Sequence, residues 1–430
     1  MKRIFNTVKS NKVLFQNFTS LSFLQVSNYI FPLITLPYLV RVLGAENFGL
    51  VSFVVSFTSY FSVIVDYGFS LSATKNVSLN RNDIPKLSEI YSNVLYVRLV
   101  LYLLCVIVII CLVFTLSIFS NHTNLYLIRI AGLIGVVIFP LYFFQGIEKM
   151  HFILSINFIV RSISILFVFV FIKSKNDFDI LLIIYSATEI IIGFAGLFII
   201  VKYFSIKLIR PNIKAIANMI KENFNIFLSS LSISLISNSN AFILGLFTDN
   251  RTVGYFAGAD KIRLAFQSAL LPLLTTIFSR VAKLANENII RFKQLIIKSG
   301  ILTLAAGITL SLVLASFNPF LVNLILGDQF EPSVQILYIL AILPFLFSIS
   351  NFIGIQILIP LNKEKIYSMV MLSGLVIHTI ISFVIIPIMQ STGSAIAMVF
   401  TEFFLVSVFI YYLKKYSIMF FPLKNTVAGK

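Results

Sequence analysis

Charged side chains interrupt several long apolar runs of this chain, and packing alone does not explain them. An isolated charge in such a place costs free energy unless something compensates it, so each one is a candidate for binding, pairing or proton transfer. Cations there would bind an anionic ligand, whereas carboxylates would pair with cations or carry protons. The ten candidates are Asp66, Arg98, Arg129, Arg161, Glu189, Asp260, Lys261, Arg263, His378 and Glu402.

Two arginines lie well inside their apolar runs. Arg98 shares a helical face with Tyr91 and Tyr102, which precede and follow it at helical spacing. Arg161 lies near the middle of its run, where a long side chain can least reach the interface. We predict that both arginines line a cavity, and a buried ion pair, for instance with Glu189, is the alternative.

Charges near the ends of runs have simpler explanations. Arg129 lies about one turn from the end of its run, so snorkelling to the headgroups is favoured. Asp66 also lies near an end, where water could reach it. For His378, which shares a face with Gly374 and Ser382, a hydrogen-bonded buried side chain is favoured.

Three charges cluster within four positions of one run. Asp260 and Arg263 are three residues apart, so they share a helical face and are expected to pair. Lys261 and Arg263 differ by about 200° around the helix axis and cannot face the same narrow cavity. We therefore predict that Asp260 compensates one of the two cations and leaves the other free for an anionic ligand. The sequence does not decide which cation is free.

Two further runs are polar without being charged. Gln25 and Asn28 lie in the first run, and Ser232 and Asn238 lie in the seventh. Hydrogen bonds between helices are one explanation, and the lining of a central cleft is the other.

The composition identifies the class of protein that must position these residues. Of 430 residues, 59% are hydrophobic and 11% are charged, against about 25% charged in a typical soluble domain. The mean hydropathy is +0.99. Cys105 and Cys111 lie in one apolar run, without disulfide or zinc spacing. We predict an all-α integral membrane protein with no metal site and no cleaved signal peptide.

Apolar runs long enough to cross a bilayer recur along the whole chain. The twelve predicted spans lie near 14–40, 48–71, 91–116, 125–147, 152–172, 180–201, 224–247, 253–279, 295–317, 333–359, 366–389 and 393–413. We predict two six-span domains, residues 1–210 and 211–430.

The charges of the loops test this count. With both termini cytoplasmic, 24 of the 33 Lys and Arg fall on the cytoplasmic side and 4 fall outside. The net charge of +17 therefore needs no nucleic-acid partner. The longest outer loop, about 318–332, carries only Asp328 and Glu331 as charges, which is little for an enzyme with an external acceptor site.

A weak repeat relates the two halves. The turn that contains Gly44 and ends in Gly49 is similar to the turn that contains Asp249 and ends in Gly254. Halves of six spans would be related by an axis along the membrane normal, and chance similarity is the alternative.

The run from Pro32 to Gly44, PLITLPYLVRVLG, resembles the first-helix signature of the Wzx-type flippases, which export polysaccharide repeat units. Residues 66–69 (DYGF) and the segment from Ala259 to Pro272 are also similar to that family. The resemblance covers essentially the whole chain and implies the multidrug/oligosaccharidyl-lipid/polysaccharide (MOP) exporter superfamily. The implied fold is two six-helix bundles around a central cavity, as in multidrug and toxic compound extrusion (MATE) transporters.

The implied substrate is an oligosaccharide on undecaprenyl pyrophosphate, carried across the bacterial cytoplasmic (inner) membrane. A pyrophosphate in a low-dielectric cleft needs cations, and the candidates are Arg41, Arg98, Arg161, Lys261 and Arg263. The resemblance also implies membrane lipids as surroundings and a polysaccharide polymerase and chain-length regulator as partners. No cofactor is expected. Coupling to a proton or sodium gradient stays open, and the candidates for coupling or charge pairing are Asp66, Glu189, Asp260 and Glu402.

Other functions remain as alternatives. An ion-coupled multidrug exporter of the same fold would need acidic residues in its cavity. Glu189 and Glu402 are consistent with this alternative, whereas Arg98 argues against it. A membrane-embedded polymerase or glycosyltransferase would want a larger outer loop. A scramblase or channel has no positive signal in the sequence.

Overall fold

The computed structural model describes the backbone of residues 2–416 and the side chains of residues 31–416 other than 71, 225, 279 and 286. Helices joined by short turns and loops make up this part of the chain, which contains no strand. The α-helices are α1 (Lys2–Asp66), α2 (Phe69–Leu79), α3 (Ile84–Thr115), α4 (Ser117–Ser120), α5 (Thr123–Ile138), α6 (Leu141–Gly146), α7 (Met150–Phe171), α8 (Phe178–Phe204), α9 (Ile213–Phe247), α10 (Asn250–Ser268), α11 (Leu271–Glu287), α12 (Ile289–Ser316), α13 (Asn318–Leu326), α14 (Pro332–Leu340), α15 (Leu343–Asn351) and α16 (Glu364–Lys415). A 3-10 helix (Asp328–Phe330) follows α13, and a π-helical segment (Phe352–Leu358) follows α15.

Ten helical segments in the described part of the chain are long and apolar enough to cross a membrane. Two of them are kinked at a residue with non-helical backbone angles, Gly44 in α1 (φ 72°, ψ 173°) and Gln390 in α16 (φ 50°, ψ −126°). Dividing each at that residue gives twelve helical segments, which agrees with the predicted number of spans. The predicted all-α, multi-pass membrane fold is confirmed.

Each of the two related turns has a local cause. Gly44 adopts a positive φ, which glycine reaches without the steric penalty that a Cβ brings. In the second turn, the Asp249 carboxylate caps α10 by accepting a hydrogen bond from the Thr252 N–H at 2.8 Å. The Thr252 hydroxyl and N–H also lower the pKa of Asp249, because both stabilise its charged form.

The two turns lie together at one end of the molecule, which we call the Gly44 end. A Cβ at Gly49 would overlap the carbonyl oxygen of Asn250, and a Cβ at Gly254 would overlap that of Ala45. Gly49 thus faces Asn250, four residues before Gly254, and Gly254 faces Ala45, four residues before Gly49. This reciprocal contact between α1 and α10 is the arrangement that a two-fold repeat of the halves requires.

The apolar core consists of one large cluster that extends along α1 from the Gly44 end to Val65, and of three further clusters at the opposite end. One cluster of buried residues joins both halves of the chain and includes Val54, Leu133, Phe256 and Leu337. The opposite end, which we call the Asp66 end, has a first-half cluster around Phe143, which also takes in Ile216 from the start of α9. Two separate second-half clusters there surround Phe292 and Phe409. The two halves are therefore sealed together at the Gly44 end.

Candidate functional site

Three adjoining cavities run from the first half of the chain into the second, and α10 borders all of them. We call them the cationic cavity (about 260 Å³), the middle cavity (about 150 Å³) and the polar cavity (about 360 Å³). Lys261 lines both the cationic and the middle cavity. Ser237 and Leu264 line both the middle and the polar cavity. These shared residues make the three cavities one cleft.

The cationic cavity contains a paired arginine that the sequence analysis assigned to the membrane surface. Arg129 donates to the Glu189 carboxylate at 3.0 Å and to the Ser186 hydroxyl at 3.3 Å, and its side chain is 6% exposed. Gly132 leaves room for this carboxylate, because a Cβ there would lie 2.9 Å from Glu189 Oε2. The snorkelling interpretation of Arg129 is therefore wrong, since the ion pair holds the side chain inside the protein.

Two cations of the same cavity have no such partner. Arg161 on α7 and Lys261 on α10 both line it, and no residue with a described side chain forms a hydrogen bond or ion pair with either of them. The Lys261 side chain is exposed to the cavity although its neighbours Ile262 and Arg263 are buried. The cleft therefore presents, from each half of the chain, one cation that forms no salt bridge with a described side chain.

Arg263 is held by its own helix. Its guanidinium donates twice to Asp260 Oδ1, at 2.8 and 2.6 Å, and also to the Gln267 side chain, and the residue is 5% exposed. The predicted pairing of Asp260 with one cation is confirmed. The structure also decides the open choice, because Arg263 is the paired cation and Lys261 is the free one.

Arg98 follows the ion-pair alternative, with a partner that the sequence analysis did not name. It is 2% exposed, pairs with Asp66, donates to the Phe139 carbonyl oxygen at 3.1 Å, and lies 5.2 Å from the centre of the Tyr142 ring. These contacts join α1, α3 and the break before α6. Arg98 lines none of the three cavities in this structure, and its role in binding stays a prediction.

Arg41 also lies outside the cleft. Its guanidinium donates to the Leu324 carbonyl oxygen at 2.7 Å, at the Gly44 end. It thus ties the end of the first span to α13 in the second half of the chain. The structure does not bring Arg41 together with Arg161 and Lys261.

Of the remaining predicted residues, two line a cavity and one is buried between helices. Glu402 lines the polar cavity and accepts a hydrogen bond from the Ser350 hydroxyl. Asn238 lines the middle cavity and donates to Ser234 at 3.2 Å. Ser232 is fully buried and donates to a backbone carbonyl of its own helix, so it lines no cavity.

Three predictions concern other parts of the chain. His378 is buried between the hydroxyls of Ser239 and Thr401, at 3.0 and 2.8 Å, which confirms its predicted structural place. Gln25 and Asn28 lie outside the residues whose side chains the structure describes.

The sequence analysis did not single out Gln267, Asn351 or Tyr367, which line the polar cavity. Gln267 could have been found from its place four residues after Arg263, on the same helical face. Asn351 ends a polar run, Ser348-Ile349-Ser350-Asn351, within an apolar span, and that run was the available signal.

Comparisons with known proteins agree with this fold. A curated protein of Escherichia coli (strain K12) named "Putative O-antigen transporter" is 29% identical over 408 residues, which are 95% of this chain and 98% of that protein. The structure of lipid II flippase MurJ in an inward closed conformation matches with a TM-score of 0.77 at 14% identity, over 94% of this chain and 87% of that one.

An inward-facing multidrug resistance MATE transporter of the MOP superfamily matches with a TM-score of 0.71 at 14% identity, over 95% of this chain and all of that one. At this identity the structural matches show the fold alone. The predicted two-bundle fold and the transporter class agree with these relatives. A sequence profile of polysaccharide biosynthesis proteins matches residues 14–285, more than half of the chain. The chain therefore belongs to the polysaccharide biosynthesis protein family, in the MOP exporter fold that its resemblance to the Wzx-type flippases implies.

Proposed function

We propose that this protein is a flippase that moves an oligosaccharide repeat unit on undecaprenyl pyrophosphate from the cytoplasmic to the outer leaflet of the bacterial inner membrane. The observation that carries the proposal is the pair of cations without a salt bridge to a described side chain, Arg161 and Lys261, in one cleft between the two halves. Each phosphate of a pyrophosphate diester carries a negative charge. One cation from each half would bind this head group in surroundings where charge attraction is stronger than in water.

The charge balance of the cationic cavity supports an anionic rather than a cationic substrate. Glu189 is its carboxylate, and Arg129 already pairs with it. The balance that remains is positive, which would repel the cationic drugs of a multidrug exporter. The rest of the wall is largely apolar, with Leu36 and Val168 among its residues, and is suited to the start of a lipid chain.

The packing of the two halves supports alternating access. The distribution of Lys and Arg supports an orientation with both termini in the cytoplasm and the Gly44 end outside. The continuous core then seals the outer end, while the divided clusters lie at the cytoplasmic end, where the substrate would enter. Rocking of one half against the other would expose the bound head group to the outer leaflet.

Glu402 is the observation that keeps ion coupling, and with it the multidrug alternative, under consideration. It is a carboxylate on the wall of the polar cavity and would be the proton carrier of a coupled exporter. Arg161 and Lys261 in the adjoining cationic cavity favour an anionic substrate over a cationic drug, so the flippase remains the better supported function. Coupling to a proton or sodium gradient, and cooperation with a polymerase and a chain-length regulator, belong to this proposal.

The test is deletion of the gene in its host, followed by complementation with wild type, Arg161→Ala and Lys261→Ala. We expect each alanine variant to lower surface polysaccharide about tenfold or more, because a charge-assisted hydrogen bond contributes about 1.5–3 kcal/mol. Lipid-linked repeat units should remain on the inner leaflet. Arg161→Lys and Lys261→Arg, which keep the charge, should restore part of the export.

Lys175→Ala is the matched control, since Lys175 is an exposed cation at the Gly44 end, outside the cleft. It should export normally. The proposal is wrong if the deletion strain still delivers lipid-linked repeat units to the outer leaflet. It also fails if the two alanine variants reach normal levels in the membrane and their export of repeat units equals that of wild type.

A further inference from the structure

We infer that the polar cavity is a glycan subsite, which binds the uncharged sugars next to the pyrophosphate while the cationic cavity binds the pyrophosphate itself. This inference rests on the proposed function and assigns a separate role to a second part of the cleft. The carrying observation is a wall that combines a carboxylate, two side-chain amides and aromatic rings: Glu402, Gln267, Asn351, Tyr367, Phe347 and Phe409.

The polar groups of this wall suit hydroxyl groups. No residue with a described side chain forms a hydrogen bond with the Asn351 amide, which can both donate and accept. Glu402 binds the Ser350 hydroxyl through Oε1, so Oε2 remains an acceptor. Arg263 holds the oxygen of the Gln267 amide, which leaves its N–H groups as donors. Neighbouring donors and acceptors of this kind can bind adjacent hydroxyls of one sugar.

The aromatic part of the wall suits the apolar face of a sugar ring. Tyr367 stacks on Phe409, with ring centres 6.1 Å apart and an interplanar angle of 15°. Gly354 makes room for Tyr367, because a Cβ there would lie 2.9 Å from the Tyr367 ring. A pyranose has C–H groups on its faces and hydroxyls at its edge, so it fits between an aromatic surface and polar side chains.

The charge of the polar cavity distinguishes its ligand from that of the cationic cavity. Its charged wall residues are Arg263, which pairs with Asp260, and Glu402, which accepts a hydrogen bond from Ser350. The cationic cavity instead contains the free charges of Arg161 and Lys261. The cationic cavity therefore matches an anion, whereas Glu402 in the polar cavity repels an anion and can accept hydrogen bonds from the hydroxyl groups of an uncharged sugar.

The spacing along α10 connects the two subsites. Lys261 lines the cationic cavity, Leu264 the middle cavity and Gln267 the polar cavity. Six residues of helix place Gln267 about 9 Å along the axis from Lys261. A pyrophosphate at Lys261 would therefore direct its first sugars past Ser237 towards Gln267 and Asn351.

The test compares two ligands on the purified full-length protein in nanodiscs. One is undecaprenyl pyrophosphate, and the other is the lipid-linked repeat unit extracted from the deletion strain. Wild type should bind the glycosylated lipid about tenfold more tightly than the bare one. Asn351→Ala and Glu402→Gln should remove most of this gain and leave the affinity for undecaprenyl pyrophosphate unchanged. Lys261→Ala should weaken both.

Phe403→Ala is the matched control, since Phe403 follows Glu402 but is 60% exposed on the outside of the bundle. It should behave as wild type. The inference is overturned if wild type binds both lipids equally, or if Asn351→Ala and Glu402→Gln weaken both lipids alike. Loss of binding of the cation rhodamine 6G in Glu402→Gln, with lipid binding unchanged, would identify a drug site instead. If neither lipid binds wild type, the proposed function itself fails.

Discussion

At the scale of single residues, the cleft separates cations that stabilise the fold from cations that are free to bind. Arg98, Arg129 and Arg263 are buried, and each has a carboxylate partner. Arg161 and Lys261 line the cavity without one among the described side chains. A buried charge without a partner is costly, so the two groups should respond differently to substitution.

The contrast between Arg129 and Arg161 tests this division. Arg129→Ala removes the partner of Glu189 within the protein, and we expect it to destabilise the fold by about 3 kcal/mol. Arg161→Ala breaks no ion pair in the described structure and should leave the melting temperature unchanged. Melting followed by fluorescence-detected size-exclusion chromatography in detergent measures both. Equal melting temperatures for the two variants would contradict the division.

At the scale of helices, the contact between α1 and α10 holds the Gly44 end closed. Gly49 and Gly254 let the two backbones approach so closely that a side chain on either one would overlap a carbonyl oxygen of the partner helix. Helices in lipid gain no hydrophobic free energy when they associate, so close packing through small residues stabilises such a crossing. The same two glycines should therefore control how readily this end opens.

Gly49→Val should shift the protein towards a state that is open at the Gly44 end. The readout is a reporter cysteine, Ser52→Cys, on the wall of the middle cavity, in a background with Cys105→Ala and Cys111→Ser. We expect at least about twofold faster labelling from outside by a membrane-impermeant maleimide. Gly300→Ala is the control, since its Cβ would meet only the Phe352 ring, at 3.1 Å. Unchanged labelling in Gly49→Val would show that this crossing does not set closure.

At the scale of the whole molecule, the two ends differ in how the halves are joined. A continuous core joins them at the Gly44 end, whereas separate clusters fill the Asp66 end. A stack of Tyr67 on Phe227, with ring centres 4.5 Å apart, bridges the divided end. We therefore expect the Asp66 end to open more readily than the Gly44 end.

Tyr67→Ala should open the Asp66 end further, because it removes this aromatic bridge. We expect a cysteine at Ser59, which lines the middle cavity, to be labelled at least about twofold faster in inside-out vesicles. Tyr203→Ala is the control, since Tyr203 is 66% exposed. A rate equal to that of the control would mean that the bridge does not limit access.

The sequence by itself determined the class, the count of spans and the family, because hydropathy, loop charge and short motifs are local properties. It also found the Asp260–Arg263 pair, since those residues are one helical turn apart. The boundary between domains near residue 210 stays a prediction.

Only the tertiary structure decided which cations are free. Arg98 pairs with Asp66 and Arg129 with Glu189 across different spans, and no local pattern specifies partners so distant in sequence. The polar cavity has the same origin, because its wall joins residues of α9, α10, α15 and α16 whose proximity depends on helix packing. A charge in an apolar run shows that compensation is required, and the packing of the spans decides whether a neighbouring helix or a ligand supplies it.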